Sequence, residues 1–202
     1  MDVNAITQPN TPATRRAEVT SMIERSQVCR DVCFGRYGMI AAGPKYLPKF
    51  PLEDMEEWKA RLASTFFFDA FERSISTMVG KVLAEPIARE NLGPDQNAWF
   101  ENIDLAGSDL ETWSTDVLTA ILRDGITWAV VSYPEVPAGL SKAQEAEYNS
   151  RPYFIHVPLE NVISWRTHNQ NGRMVLDEFR YSEAVEGFDG WVVTSQKKIR
   201  VL

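Results

Sequence analysis

The sequence predicts an α+β fold, a helical N-terminal half packed on a mixed β-sheet. Three observations carry it. Asp54 with Glu57, and Ser108 with Glu111, are capping boxes that mark two helix starts in the first half. From Ile126 onward, short β-prone runs such as "ITWAVVSY" and "YFIHV" replace helical periodicity. Asn171–Gly172, between two such runs, supplies the positive φ of a tight hairpin turn. The expected organisation is a mobile arm over residues 1–14, then one region over 15–202, helical over 15–124 and mostly β over 125–202.

Taken in order, the arm is rich in Pro, Asn and Thr. A helix is expected over 15–34, with Gly35 and Gly38 ending or kinking it. "GPKYLPKFP", Gly43 to Pro51, follows. Its three prolines fix φ and push their predecessors toward extended geometry, so a non-helical connector is expected. Asp54 then opens what reads as the longest helix, 55–84. One stripe runs through Met55, Trp58, Leu62 and Phe66, a second through Phe67, Phe71, Ile75 and Val82, and Pro86 stops it. Phe68 fits neither stripe, which makes it a candidate interface residue. Ser108 opens a helix that Gly125 closes as a C-terminal cap. Ile126–Tyr133, a short helix over 141–149 and Tyr153–Val157 suggest a small βαβ unit. A hairpin over Ile163–Ser182, a turn at "GFDG" and one or two strands in "WVVTSQKKIRVL" complete the chain.

Length and composition limit the function classes. The 202 residues are enough to bury about 70% of the unfolded surface without disulfides or metals. A net charge of −7 argues against broad adhesion to nucleic acid or an anionic membrane. No apolar run has the length of a membrane span, and the polar first residues do not predict a secretory leader. Cys29 and Cys33, four apart on a helix, read as reduced, part-buried thiols.

No catalytic constellation emerges. Gly43-Pro44-Lys45 lacks the glycine spacing and the hydroxyl residue of a phosphate loop. His156 and His168 have no partners at metal-ligand spacing and read as a core and a surface histidine. Asp177 and Glu178 alternate faces of a strand and cannot converge on one substrate. Neither a catalytic residue, a metal nor a cofactor is expected. Exposed aromatic material is the better clue: Trp99 and Phe100 stand in an otherwise polar segment and, with Phe68, are the candidate subunit or partner interface.

An ordered set of segments adds a family. "RDVCFGRYGMIAAGPKYLPKFP", "FFFDAFERSISTMVGKVLAEP", "IDLAGSDLE", the Gly125–Pro134 stretch, "RPYFIHVPLENVISWR" and the terminal "KKIRVL" together resemble the portal proteins of tailed bacteriophages and prophages. The resemblance runs from Val28 to Leu202. It implies the wing-like N-terminal half of a structural subunit, in a ring typically of twelve copies, through which DNA is packaged and ejected and to which the tail attaches. Its partners would be copies of itself, the capsid, the terminase and a head–tail adaptor. DNA would pass without sequence-specific binding, no membrane would be involved, and the place of action would be the virion, after assembly in the bacterial cytoplasm. Portals are not enzymes; the ATPase belongs to the terminase. Tunnel-lining helices and the clip would come later in a full subunit, so no residue here is assigned to DNA. Two other classes compete: a soluble adaptor that binds a protein through its Trp-rich loops, and an enzyme whose site is completed across a subunit interface.

Overall fold

The computed structural model describes residues 11–202 apart from 138, 140, 142, 143 and 145–147. The fold is α+β, with two small antiparallel sheets in place of one mixed sheet. The chain divides into two compact units: residues up to Arg25 with Val157–Leu202, and Ser26–His156.

The first unit is built on a three-stranded meander. β3 (Val162–Gln170) pairs with β4 (Arg173–Asp189), and β4 with β5 (Val192–Val201). The β3–β4 turn is the predicted one: Asn171 and Gly172 have φ of 53° and 81°, the left-handed pair of a two-residue hairpin. In the β4–β5 turn Gly190 alone takes a positive φ, of 60°. The β3–β4 ladder shifts register between Arg166 and Thr167, leaving Asp177 as the extra residue of a bulge. Val19, Val157, Leu159, Val162, Ile163, Phe179 and Tyr181 are buried here. Residues 1–10 of the expected arm lie outside the described residues. Just beyond them, Arg180 donates to the carbonyls of Thr11 and Pro12, and the Arg16 amide donates to Ile163 O, so this segment is tied to the sheet.

The second unit is mainly helical. The first helix, α1 (Ala17–Cys33), starts in the other unit and ends here. Gly35 at φ +61° then breaks the axis, and α2 (Gly35–Ala42) continues past Gly38, which stays helical. A Cβ on Gly38 would stand 2.2 Å from Asp31 O, so only glycine lets α2 pass this close to α1. Gly43–Lys45 form a 3₁₀ turn, a correction to the non-helical expectation, with Pro44 near its start where no amide donor is needed.

The single helix expected over 55–84 is two helices, α3 (Met55–Ser64) and α4 (Ala70–Val82), with an extended segment between. On a continuous helix Phe66, Phe67 and Phe68 would project about 100° apart and no one neighbour could cover them. An extended chain instead alternates them: Phe67 is half-buried between Phe66 and Phe68, 84% and 62% exposed. Arg36 donates to the carbonyls of Ala63 and Thr65, satisfying the end of α3 at the break. The stripes drawn through Phe66 and Phe67 therefore do not exist as continuous rows.

After a short helix α5 (Pro94–Trp99), in the polar segment where no helix is expected, comes α6 (Leu110–Asp124). Its N-cap is Asp109, not Ser108: the Asp109 carboxylate accepts from Thr112 N at 2.7 Å, while the Ser108 amide is already held by Asp104. Gly125, at φ 82°, closes the helix as expected. α6 packs on α4 and on β1 (Thr127–Ser132). β1 pairs with β2 (Tyr153–Pro158), and Trp113 packs on Phe154 with centroids 5.3 Å apart. The expected βαβ unit is not formed. Thr127 meets His156 at 2.8 Å, and Tyr133 donates to Ser150 O at 2.6 Å, so the two strands run antiparallel. Most of the crossover helix expected over 141–149 lies outside the described residues.

Candidate functional site

The stretch "GPKYLPKFP" is stapled at both ends. Lys45 Nζ and Tyr46 OH both donate to Asp31 Oδ2 on α1, at 3.0 and 2.6 Å. Burial pushes the Asp31 carboxyl up, but the hydrogen bonds from Tyr46, Gln27 and Lys45 outweigh it and leave it below its ordinary value. Toward α3, Trp58 Nε1 donates to Leu47 O at 2.9 Å and Arg61 Nη2 donates to Pro48 O at 2.9 Å. Arg61 also grips Glu53 with two bonds of 2.7 and 2.8 Å, and its guanidinium stands 4.4 Å from the Phe50 ring centre. Lys49 donates to Glu53 O, so both lysines and both aromatic side chains hold the connector, which makes it an architectural element between α1 and α3.

That clamp has a pH signature. The Arg61 hydrogen bonds lower the Glu53 carboxyl from 4.5 to about 2. A depressed carboxyl stabilises the fold above its unfolded value, and that contribution is lost as pH falls through the folded one. Melting temperature should therefore fall more steeply between pH 4.5 and 2 in the wild type than in Glu53→Gln. Parallel acid-melting curves for the two proteins would remove the clamp from the account.

Among the described residues, neither of two cavities rich in polar side chains assembles a reactive pair. One of about 560 Å³ lies between the end of α1, α4 and α6, lined by Cys33, Glu72, Ser76, Thr115 and Arg123 among others. Burial raises the Cys33 thiol, the opposite of what a nucleophile needs. Arg123 in this cavity is paired with Asp124 at 2.7 Å. The other, a groove of about 810 Å³ in the first unit, holds Arg15, Arg16, Arg166 and Arg180. They bond Glu160 O, Trp165 O with Glu18, Glu178, and Thr11 O with Pro12 O respectively. Arg15, Arg16 and Arg180 thus staple the strap before α1 to the sheet and the turn that precedes it, while Arg166 braces β3 against β4.

The histidines fall where the sequence placed them. His156 is half-buried on β2, and exposed His168 meets Asp177 at 2.5 Å. The bulge brings Asp177 to that histidine, a neighbour the sequence did not show. Among the described residues no three His, Cys, Asp or Glu side chains converge to hold a metal ion.

The aromatic candidates separate. Phe68 lies in the α3–α4 break with the Arg73 guanidinium 5.5 Å from its ring centre. Trp99 and Phe100 stand together at the end of α5, half-buried rather than loop-borne. They line an apolar pocket of about 290 Å³ with Leu92, Ile103, Val131 and Phe154. Arg151 is at its wall and Arg89 lies 5.2 Å from the Phe100 ring centre. A second aromatic surface was missed. The tip of the β4–β5 hairpin exposes Phe188, Val192 and Val193 by 57–77%, and Trp191 by 102%. The signal was available: a tryptophan directly after the left-handed glycine of "GFDGW" sits in the turn, beyond reach of the sheet's core.

No protein-family model matches the chain, and no curated protein matches it.

Proposed function

We propose that this chain is a structural assembly subunit, the N-terminal, wing-like part of a phage-type portal ring. The ordered segments from Val28 to Leu202 support the family, and the proposal rests on that resemblance. The observation that carries an assembly role is the apolar tip of the β4–β5 hairpin, where four large side chains, Trp191 among them, stand in water at the end of a 17-residue and a 10-residue strand. Clustered exposed aromatics of this kind mark surfaces that a partner covers. In this reading "GPKYLPKFP" is a wing connector, and DNA contact, capsid, terminase and adaptor binding belong to the full assembly in the virion.

The test is electron microscopy of the full reading frame that contains this segment, expressed alone. Closed rings of uniform copy number are the expected result. A monodisperse monomer would overturn the portal reading and leave the adaptor reading, for which the Trp99–Phe100 pocket is the natural docking point.

A further inference from the structure

We propose that Trp191 is a knob that seats in the Trp99–Phe100 pocket of a second copy of this chain, joining copies head to tail. This deepens the ring reading given above and rests on it only for closure of the chain of copies.

Two unlike surfaces on the same chain fit each other in size, polarity and charge. The knob is a fully exposed indole, held out by the Gly190 turn and flanked by Phe188, Val192 and Val193. Phe188 pairs with Val193 across the hairpin, so the two share a face. Glu186 pairs with Ser195 two residues back, placing its carboxylate on that same face, and Asp189 adjoins the turn. The tip is thus apolar with an acidic border. The pocket is the reverse. Its lining of Leu92, Trp99, Phe100, Ile103, Val131 and Phe154 is apolar, its volume of about 290 Å³ suits one aromatic side chain, and its border carries Arg89 and Arg151. Neither arginine, nor Glu186 or Asp189, is in an ion pair among the described residues. A buried tryptophan in an aromatic pocket, ringed by opposite charges, is the composition of an interface hot spot. Because knob and pocket are different patches, the contact is heterologous: every copy offers one of each, and association propagates until it closes or runs on.

Sedimentation velocity over a concentration series tests this with four samples: wild type, Trp191→Ala, Val131→Glu and an equimolar mixture of the two variants. Both substituted residues are more than half exposed, so the fold should be unaffected, and circular dichroism checks that. Val131→Glu sets an acidic group in the mouth of the pocket against the acidic tip. The wild type should form a concentration-dependent series beyond the dimer. Each variant alone should associate at least about 10-fold more weakly. The mixture has one intact knob and one intact pocket, so it should pair one to one and grow no further. A wild type that stays monomeric at every concentration overturns the contact, as does a Trp191→Ala variant that assembles like the wild type or a mixture that fails to pair. Full-length rings that persist with Trp191→Ala overturn this contact alone and leave the portal reading standing.

Discussion

Replacing Asp124 by alanine should cost about 3–5 kcal/mol, a large share of the 5–15 kcal/mol that holds a typical domain together. Asp124 is the last residue of α6, and its side chain is fully enclosed. Its Oδ1 lies 3.0 Å from Arg30 Nη1 on α1, and its Oδ2 accepts from Arg123 at 2.7 and 3.1 Å. Arg30 is itself only 8% exposed and donates to Ser26 Oγ as well. A carboxylate at a helix C-terminus opposes the helix dipole, so local preference does not put it there. Pairing does. Removing the carboxylate takes the counter-charge from the buried Arg30 guanidinium, whereas removing that pair together, with the more exposed Arg123 left within reach of water, need not destabilise. Arg30→Met combined with Asp124→Leu should therefore recover most of what Asp124→Ala loses. Urea denaturation of the single and double variants measures this, and a single-variant loss under about 1 kcal/mol would show that water reaches Arg30 after all.

The parts of this molecule that were legible in the sequence are those decided by one or two neighbouring residues. Asp54 and Glu57 make the reciprocal cap by themselves, at 2.8 and 3.3 Å, and Asn171–Gly172 make the turn whatever lies around them. Where two local solutions competed, spacing did not choose between them. Ser108 and Asp109 are both good N-caps, and the choice is made outside the helix, where Ile103 N takes the Ser108 carbonyl that an N-cap would offer to the first turn and Asp104 takes its amide. The helix over 55–84 failed for a related reason. Its periodicity is genuine on each side of Thr65, but Thr65 turns extended as the cap of α3, and Arg36, far off in sequence, takes up the carbonyls of Ala63 and Thr65 that the break leaves free. The candidate site was half legible. Trp99 and Phe100 were singled out by composition, but the pocket around them needs Val131 and Phe154 from two later strands, and no spacing rule connects these. The short helix that carries Trp99 did have a signal in Gly93-Pro94, with Gln96 accepting from the Gly93 amide at 3.0 Å.

Two phenylalanines on β4 should separate stability from assembly. Phe179 is 3% exposed, its ring stacks near Tyr181 with centroids 5.5 Å apart, and its amide and carbonyl both pair with Leu202. Phe179→Ala empties a site that strands β3 and β5 flank, and should cost about 3–5 kcal/mol, the sum of lost burial and the cavity left behind. Phe188, further along the same strand, is 77% exposed and pairs only with exposed Val193. Phe188→Ala should change stability by no more than about 0.5 kcal/mol, because that residue keeps most of its surface in water in the folded monomer. Its effect belongs to association, where the ring leaves water only when a second copy arrives. Equilibrium unfolding at a concentration low enough to keep the chain monomeric isolates the first effect, and sedimentation at high concentration isolates the second. If Phe188→Ala lowered monomer stability as much as Phe179→Ala, the hairpin tip would be part of the chain's own core and not a surface kept for a neighbour. If it left both stability and association unchanged, the tip's apolar character would have no role in joining copies, and Trp191 would have to act without its flank.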